Sequence, residues 1–536
     1  MIFYPESKFI PFVTYPEKVW VCQTYVTPLL TNWFALNTIT ATLKKRMIRV
    51  NFKKITLFLH SLILFASLFT GCGPREGWTL SAPSYKGGKL SESVYNIGDG
   101  ITYNEQAVGG KLAVISETSK KQFNKYLNTL KKSGYTKISE NEINKNIFAE
   151  FKNDSHILHV YYVAAYKEVR IIEDYVSLPT TEFGYTYTPQ DGKATTFYQY
   201  GLMTDPKGSG NADYSDGKYK NNGMFYIIRL SDNSLILMDG GAKYQATKEG
   251  TGELMSFLRE ITGTSEGEKI RISSIIITHA HSDHKKYVEN LVRDYGENLI
   301  VERAMYNFPS SSILKGNTTY DDFGKMLKEK YPDIKFLKPH TGQKINLADL
   351  QIEIVFTHED FVSAKTGLTQ IVDYNNTSTV IKYTVNDRTL LFLADIGGPW
   401  QGPQEDYDVF ESRFLSMYAS DEGYLDEESY LQCDFVQVAH HGINYYMGEI
   451  YSAIEPEYAF FPQVDIKYSD MYHPCYRQVI GQLSDAGVVR SKMYFMSRYT
   501  HAVTISQAGS ISVEKFEIRG ADEGYMDYLA QYEPFN

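Results

Sequence analysis

Residues 279–284 read His-Ala-His-Ser-Asp-His, so three imidazoles and one carboxylate fall within six positions. His279 and His281 are two apart and in extended chain point to the same side. The turn that follows brings Asp283 and His284 to face a second point. Neutral imidazole and carboxylate are the donors that suit a borderline cation such as zinc, held at about 2.0–2.2 Å. A lone histidine is most often structural. Three histidines and an aspartate this close have no ready structural role, because their mutual repulsion on protonation needs compensation. The chemistry such a cluster offers is metal-assisted hydrolysis. One or two zinc ions lower the pKa of bound water toward about 7 and polarise the oxygen of the electrophile. Asp283 then orients the nucleophile as well as ligating.

The elements around the cluster are those that present side chains at a strand exit. Residues 272–278 are rich in β-branched residues and read as a strand buried on both faces. Tyr287, Val288, Leu291, Val292 and Tyr295 mark the helix that follows. Further strands are expected at 224–230, 234–238, 350–356, 379–385, 389–394, 435–439 and 458–461, with a hairpin over Asn386-Asp387-Arg388. Upstream lies a second, smaller module. It has strands at 111–116, 147–151, 157–163 and 169–172, and a helix carrying Phe123, Tyr126, Leu127 and Leu130, stopped by Gly134. The expected organisation is α/β, with a small α+β domain over 96–180 and a larger domain over 195–518. A tether rich in Gly, Pro, Ser and Lys precedes them over 72–95. The small domain holds no constellation of reactive groups; His156 and His159 read as strand residues, and its role as packing or positioning.

The H-x-H-x-D-H signature resembles that of the metallo-β-lactamase superfamily of hydrolases, and the resemblance covers roughly residues 195–518. It implies a four-layer αββα sandwich with the metals at one sheet edge. Residue by residue it implies that His279, His281, Asp283 and His284 are ligands and that Asp395, closing Leu-Leu-Phe-Leu-Ala-Asp, bridges two metals. It further implies that His440, after Asp-Phe-Val-Gln-Val-Ala, is the last histidine ligand, and that Asp239, in Asp-Gly-Gly, stands behind the ligands. Within the superfamily, Asn375-Asn376-Thr377-Ser378, His440-His441-Gly442 and His473-Pro474 are similar to the hydrolase domain of competence DNA-internalisation proteins and to teichoic-acid phosphorylcholine esterases. The chain departs from many relatives where a third histidine of the first metal is expected. Asn375 and Asn376 stand there, so an amide oxygen or water is the expected donor, with His358 as a weaker substitute. His441 or His473 is the candidate to protonate a leaving group or hold an oxyanion; a supporting role behind the ligands fits His441 equally well. His501 is a weaker candidate still.

Composition narrows the substrate. The 536 residues carry 54 basic and 64 acidic groups, a formal net charge of −10, which argues against a dedicated nucleic-acid binder. At 43% hydrophobic the chain is globular in composition. Four cysteines without a Cys-x-x-Cys spacing exclude a disulfide scaffold and a zinc knuckle. Segment 401–430 lies between two implied ligands and is expected to overhang the site. It holds nine acidic residues (Glu405, Asp406, Asp408, Glu411, Asp421, Glu422, Asp426, Glu427, Glu428) against one Arg413. Such a lid repels a long polyanion and tolerates a zwitterionic or cationic substrate. Tyr445, Tyr446, Tyr468 and Tyr472 flank the motifs and suit a quaternary ammonium group, although packing explains most of them as well. Lys285 and Lys286 offer attraction for an anionic group, against the plain reading of a solvated helix face. The expected activity is a zinc-dependent phosphoesterase or phosphodiesterase acting on a small substrate. A lactone, β-lactam or thioester hydrolase is the enzymatic alternative, and a surface-binding lipoprotein with a degenerate metal site is the non-catalytic one.

Targeting is legible at the N-terminal end. Lys53 and Lys54 precede an apolar run over 55–69, followed by Thr70, Gly71 and Cys72. Basic flank, short apolar core and small residues make an export signal, and the run is short for a spanning helix, which needs about 20 residues. The cysteine at the cut site resembles a bacterial lipoprotein signal, with Phe69 standing where an aliphatic residue is usual. Residues 47–71 are the expected signal, and 1–46 either an overextended start or an N-terminal extension. Lipid attached at Cys72 would hold the protein to a membrane at the cell surface or in the periplasm. Expressed in a bacterium with labelled palmitate, the chain is expected to take up label and Cys72→Ser to take up none; label persisting in the variant would refute the lipoprotein assignment.

Overall fold

The computed structural model describes residues 75–91, 95–98, 110–174, 179–187, 193–202, 223–241, 247–309, 323–362, 371, 374–397, 404–419, 429–442, 447–462, 476–496, 499–520 and 527. All belong to one compact unit, Pro74–Asn536. The expected signal over 47–71, Cys72, His473 and the tyrosines at 445, 446, 468 and 472 lie outside the described residues.

The small domain is a seven-stranded antiparallel sheet with one helix on it. Its order is Lys89–Leu90, Gly110–Ser116, Glu168–Asp174, Ile157–Val163, Asn146–Lys152, Thr136–Ile143, with Tyr95–Gly98 also pairing to Gly110–Ser116. The helix Lys120–Lys132 starts where Ser119 Oγ accepts the Gln122 N–H, and its Phe123, Tyr126, Leu127 and Leu130 stripe is buried on the sheet. Asn144 and Lys145, both with positive φ, turn the hairpin that adds Thr136–Ile143. That strand lacks an apolar alternation because it is an edge strand with only one of its eight residues buried, so no periodic signal marked it. Residues 75–91 correct the tether reading. Trp78, Leu80, Ala82 and Tyr85 are buried in the helix-side core, and Glu173 accepts the backbone N–H groups of Ser81 and Ala82 at 3.1 and 2.9 Å. Scattered apolar residues in a Gly/Pro/Ser-rich stretch have no period, yet each finds a pocket in the core.

The larger domain has four layers. One sheet runs Lys335–Leu337, Arg303–Met305, Ile270–Ile276, Leu235–Asp239, Phe225–Arg229, Thr195–Gln199, Tyr499–Ile505, Ile511–Glu517, with Leu299–Val301 also pairing to Ile270–Ile276. The other runs Lys344–Leu347, Leu350–Phe356, Val380–Val385, Arg388–Phe392, Phe435–Gln437, Tyr458–Phe461, Met493–Phe495. Phe197, Tyr226, Met238, Ile354, Tyr383, Phe392 and Phe460 fill the space between the two sheets. Lys248–Thr262 and Ser282–Tyr295 cover the outside of the first sheet through Leu254, Phe257, Leu258, Val288 and Leu291. Gln404–Tyr418, Gly448–Ile454 and Tyr476–Asp485 cover the second through Phe410, Phe414, Ile450, Val479 and Leu483. This is the αββα sandwich expected from the resemblance.

The free face of the small sheet packs into that last layer. Leu112, Val114, Phe148, Tyr161 and Ile172 share one core with Phe356, Phe361, Phe410 and Phe414. A buried polar network crosses the same boundary. Arg170 and Arg413 both bond Glu168, at 2.7 and 3.1 Å, and Tyr161 donates to Asp360 at 2.9 Å. Such charges stay in a dry interior only while paired. His340 lies between Glu359 (2.8 Å) and Asp174 (3.4 Å), with its ring 4.2 Å from that of His159. Burial opposes charge on His340, but Glu359 and Asp174 prevail and lift its pKa to about 9. Burial and the neighbouring His340 hold His159 neutral, well below its ordinary value. Glu150 and Lys338 also face this pair.

A histidine whose folded pKa exceeds its unfolded value of about 6.5 stabilises the fold fully below that value, and the contribution disappears as pH rises through the folded pKa. The difference in unfolding free energy between wild type and His340→Gln, measured with urea, is therefore expected to be largest near pH 6, to shrink between about pH 6.5 and 9, and to level off above. A difference that grows with pH would contradict the imidazolium assignment.

Candidate metal centre

The site forms because strands Leu235–Asp239 and Ile270–Ile276 run parallel and end at the same sheet edge. At the first exit Asp239 takes a left-handed φ of 57°, a conformation aspartate tolerates, and Gly240 follows. A Cβ on Gly240 would meet the Val288 backbone nitrogen at 2.9 Å, so only glycine admits the helix Ser282–Tyr295 this closely. The Tyr287 N–H donates to Gly240 O at 2.8 Å and locks the two exits together. The first turn of that helix carries Asp283, where the helix dipole favours a carboxylate.

The side chains then converge. Asp239 Oδ1 accepts the Thr278 backbone N–H at 2.8 Å, and its Oδ2 faces His284 Nδ1 at 2.9 Å. His284 Nε2 lies 3.0 Å from Asp395 Oδ2, and His441 Nε2 lies 3.3 Å from the same oxygen and 3.7 Å from Asp283. His279 Nε2 is 3.1 Å from His281 Nδ1 and 3.9 Å from Asp395. Two donor groups result, His279–His284–Asp395 and Asp283–His284–His441. Asp395 Oδ1 is buried with no hydrogen bond among the described residues, as expected of an oxygen kept for a cation. The donor set therefore fits a metal.

Electrostatics agree with the crowding. Burial opposes charge on His284 and His441, yet Asp395, with Asp239 for the first and Asp283 for the second, raises both, His441 to about 9. Burial also opposes ionisation of Asp283 and Asp395, and the same histidines hold both carboxyls well below the ordinary range. Burial, then His284 and His281, push His279 well down. Burial pushes Asp239 up, against His284 and the Thr278 hydrogen bonds.

Three expectations need correction. The imidazole that reaches the cluster is His441, not His440. Both sit in left-handed backbone, φ 54° and 45°, and this reversal sends consecutive rings to different neighbours. His440 Nε2 instead takes the Asn375 amide N–H at 3.2 Å. Spacing in sequence does not reveal such a twist, although the adjacent glycine hints at it. Gly442 has φ 75°, and a Cβ there would strike Phe461 at 2.1 Å. Second, the described bonds of the two asparagines lead away from the donor groups, although Asn375 Oδ1 is a buried oxygen with no hydrogen bond among the described residues. Asn375 bonds His440, and Asn376 Oδ1 accepts the Gly397 N–H at 3.3 Å, which shapes the turn after Asp395. His358 is buried on the turn His358–Asp360, which meets the small domain, and His501 lies on Tyr499–Ile505; neither joins the two donor groups.

The third correction concerns charge near the site. Of the acidic segment, 404–419 and 429–430 are described: helix Gln404–Tyr418 is a packed member of the outer layer, while Asp421, Glu422, Asp426, Glu427 and Glu428 lie outside the described residues. Its Arg413 is buried against Glu168 of the small domain, and Asn146 donates to Met417 O at 2.6 Å. Lys285 and Lys286 both close on Glu289, at 3.1 and 2.8 Å, which offsets one of their two charges within the helix. Ser378, which the sequence marked only as part of a motif, has a role here: its Oγ accepts the Asp395 N–H at 3.2 Å and lies 3.3 Å from His279 Nδ1.

Residues 222–445 match the family model described as metallo-beta-lactamase superfamily, and the chain carries a domain of that superfamily. No curated protein matches the sequence. Among solved structures it is similar to the metallo-beta-lactamase fold protein YhfI from Bacillus subtilis, at 11% identity over 60% of this chain and 100% of that one, TM-score 0.32. It is also similar to CmlA, a diiron beta-hydroxylase from Streptomyces venezuelae, at 12% identity over 57% of this chain and 53% of that one, TM-score 0.29. A third is Zn(2+)-bound PqqB from Methylobacterium extorquens, at 8% identity over 45% and 71%, TM-score 0.26. The chain thus spans about half the length of CmlA.

The His440/His441 assignment is open to direct measurement. Elemental analysis after dialysis is expected to find His441→Ala stripped of most of its metal and His440→Ala close to wild type. The reverse pattern would restore His440 as the ligand.

Proposed function

We propose that the chain is an exported, membrane-tethered, metal-dependent hydrolase that cleaves a small phosphoester. The observation that carries this reading is the pair of donor groups converging on Asp395, four histidines and two aspartates at one sheet edge. His279, His281 and Asp395 would hold one cation, and Asp283, His284, His441 and Asp395 a second. Zinc in such a site supplies a bound hydroxide at neutral pH and polarises a phosphoryl oxygen. The chain's own part is to orient and to exchange protons. Asp283, kept ionised, is placed to accept a hydrogen bond from the attacking water and to hold its direction. Asp239 and Ser378 fix the ligands from behind, so the donors need little reorganisation as charge develops. His440, set in place by Asn375, is the imidazole we assign to hydrogen-bond the departing oxygen.

Substrate size follows from charge. The net −10 of the chain repels polyanions at long range, and Glu289 offsets one of the two charges of Lys285 and Lys286. A small neutral or zwitterionic phosphodiester suits this field better than a nucleic acid.

The test is a panel of chromogenic phosphodiesters, lactones, thioesters and β-lactams, with DNA and RNA beside them, on zinc-loaded protein. Turnover of a small phosphodiester above all others, lost on chelation and restored by zinc, is expected. Faster cleavage of a lactone or β-lactam would move the activity within the fold. Faster cleavage of DNA would replace the small-substrate reading. Tight metal without turnover of anything would leave a binding lipoprotein.

A further inference from the structure

Behind the donor groups, Asp239 reaches two of the histidines by different routes. Its Oδ2 faces His284 Nδ1 directly at 2.9 Å. It reaches His279 only through Thr278. The Thr278 hydroxyl lies 3.0 and 2.9 Å from the two Asp239 oxygens and 3.2 Å from His279 Nδ1. A hydroxyl has one hydrogen and two acceptor lone pairs. Asp239 already accepts the Thr278 backbone N–H and faces a ring nitrogen, so it serves as the acceptor here, and the Thr278 hydrogen points to it. What Thr278 presents to His279 is then a lone pair, which takes a hydrogen from Nδ1. The hydrogen a ring carries on one nitrogen decides whether the other is free to ligate. With Nδ1 protonated, His279 Nε2 turns its lone pair toward His281 and Asp395, at 3.1 and 3.9 Å.

A rival donor stands on the other side of the ring. Ser378 Oγ accepts the Asp395 N–H at 3.2 Å and keeps its own hydrogen, 3.3 Å from His279 Nδ1. If that hydrogen entered Nδ1, the proton would sit on Nε2 and the ring would present no lone pair to a cation. Thr278 and Ser378 therefore compete for one nitrogen, and the Thr278 hydroxyl is tied to a buried carboxylate while the Ser378 oxygen accepts only the Asp395 backbone N–H among the described residues.

We propose that Thr278 is a positioning residue that passes the acceptor character of Asp239 to His279, so that one buried carboxylate sets the ligating tautomer of two metal ligands. The inference rests on the metal-centre reading for its purpose, but the tautomer exists in metal-free protein and is measurable there.

The experiment uses the full chain with histidine labelled in its ring carbons, His279 being assigned by its loss in His279→Gln. The Cδ2 chemical shift separates the two neutral tautomers. Wild type is expected to show the hydrogen on Nδ1, Thr278→Val to move it to Nε2, and Thr278→Ser, which keeps the hydroxyl, to restore Nδ1. Thr278→Val retains the backbone N–H that Asp239 accepts, and a melting curve close to wild type would show that it folds. Zinc affinity by chelator competition is expected to fall about 10–100-fold in Thr278→Val, the range usual for groups that orient a metal-bound histidine, and to recover in Thr278→Ser. Thr278→Val with the hydrogen still on Nδ1 and zinc affinity unchanged would overturn the proposal. Wild type with the hydrogen on Nδ1 but no zinc bound would instead sink the metal centre and leave the Thr278 assignment standing.

Discussion

The geometry of the site depends on one buried carboxylate at the end of a strand. Asp239 is fully enclosed, and an enclosed carboxylate is tolerated only when its oxygens are satisfied. Its partners are Thr278, from the neighbouring parallel strand, and His284, from the helix that strand leads into. That requirement aligns two strand ends and a helix N-terminus before any cation arrives. A single substitution at Asp239 would therefore disturb register, helix placement and ligand orientation together.

The second sheet supplies the remaining donors through backbone that strands cannot provide. Asp395 follows Ala394, and His441 follows His440, and three of these four residues have positive φ. Leaving the strand in left-handed turns re-aims each side chain toward the first sheet's edge. Cross-links hold the turns: His440 N–H to Ala394 O at 2.9 Å, and Ala394 N–H to the Gln437 side chain at 2.6 Å. Strain of this kind is stable only where surrounding contacts over-determine it.

The small domain is an integral layer of the molecule rather than a separate module. Its sheet face shares a core with the outer helices, and the Glu168, Arg170 and Arg413 group and the His340, Glu359 and Asp174 group cross the junction. The turn His358–Asp360 that meets it lies upstream of Tyr374–Thr377, from which Asn375 and Asn376 come.

Local chemistry and periodicity in the sequence determined much of this protein. The buried strand before His279, the amphipathic helix after it, and the His-Ala-His-Ser-Asp-His cluster were legible because period and residue type are local properties. So were about half of the described strands of the sandwich, several to within a residue, because alternation and apolar runs reflect which face is buried. The edge strand Thr136–Ile143 carried no such signal, and the apolar residues of 75–91 had no period. Tertiary structure alone decided that His441 and not His440 faces Asp283 and Asp395, since the choice rests on two positive φ angles rather than on spacing. It also decided that Arg413 and the helix Gln404–Tyr418 pack at a domain junction, and that Lys285 and Lys286 share Glu289. Charge in a sequence records only how many ions a segment holds; which of them pair, and whether water reaches them, is set by what the rest of the chain packs against them.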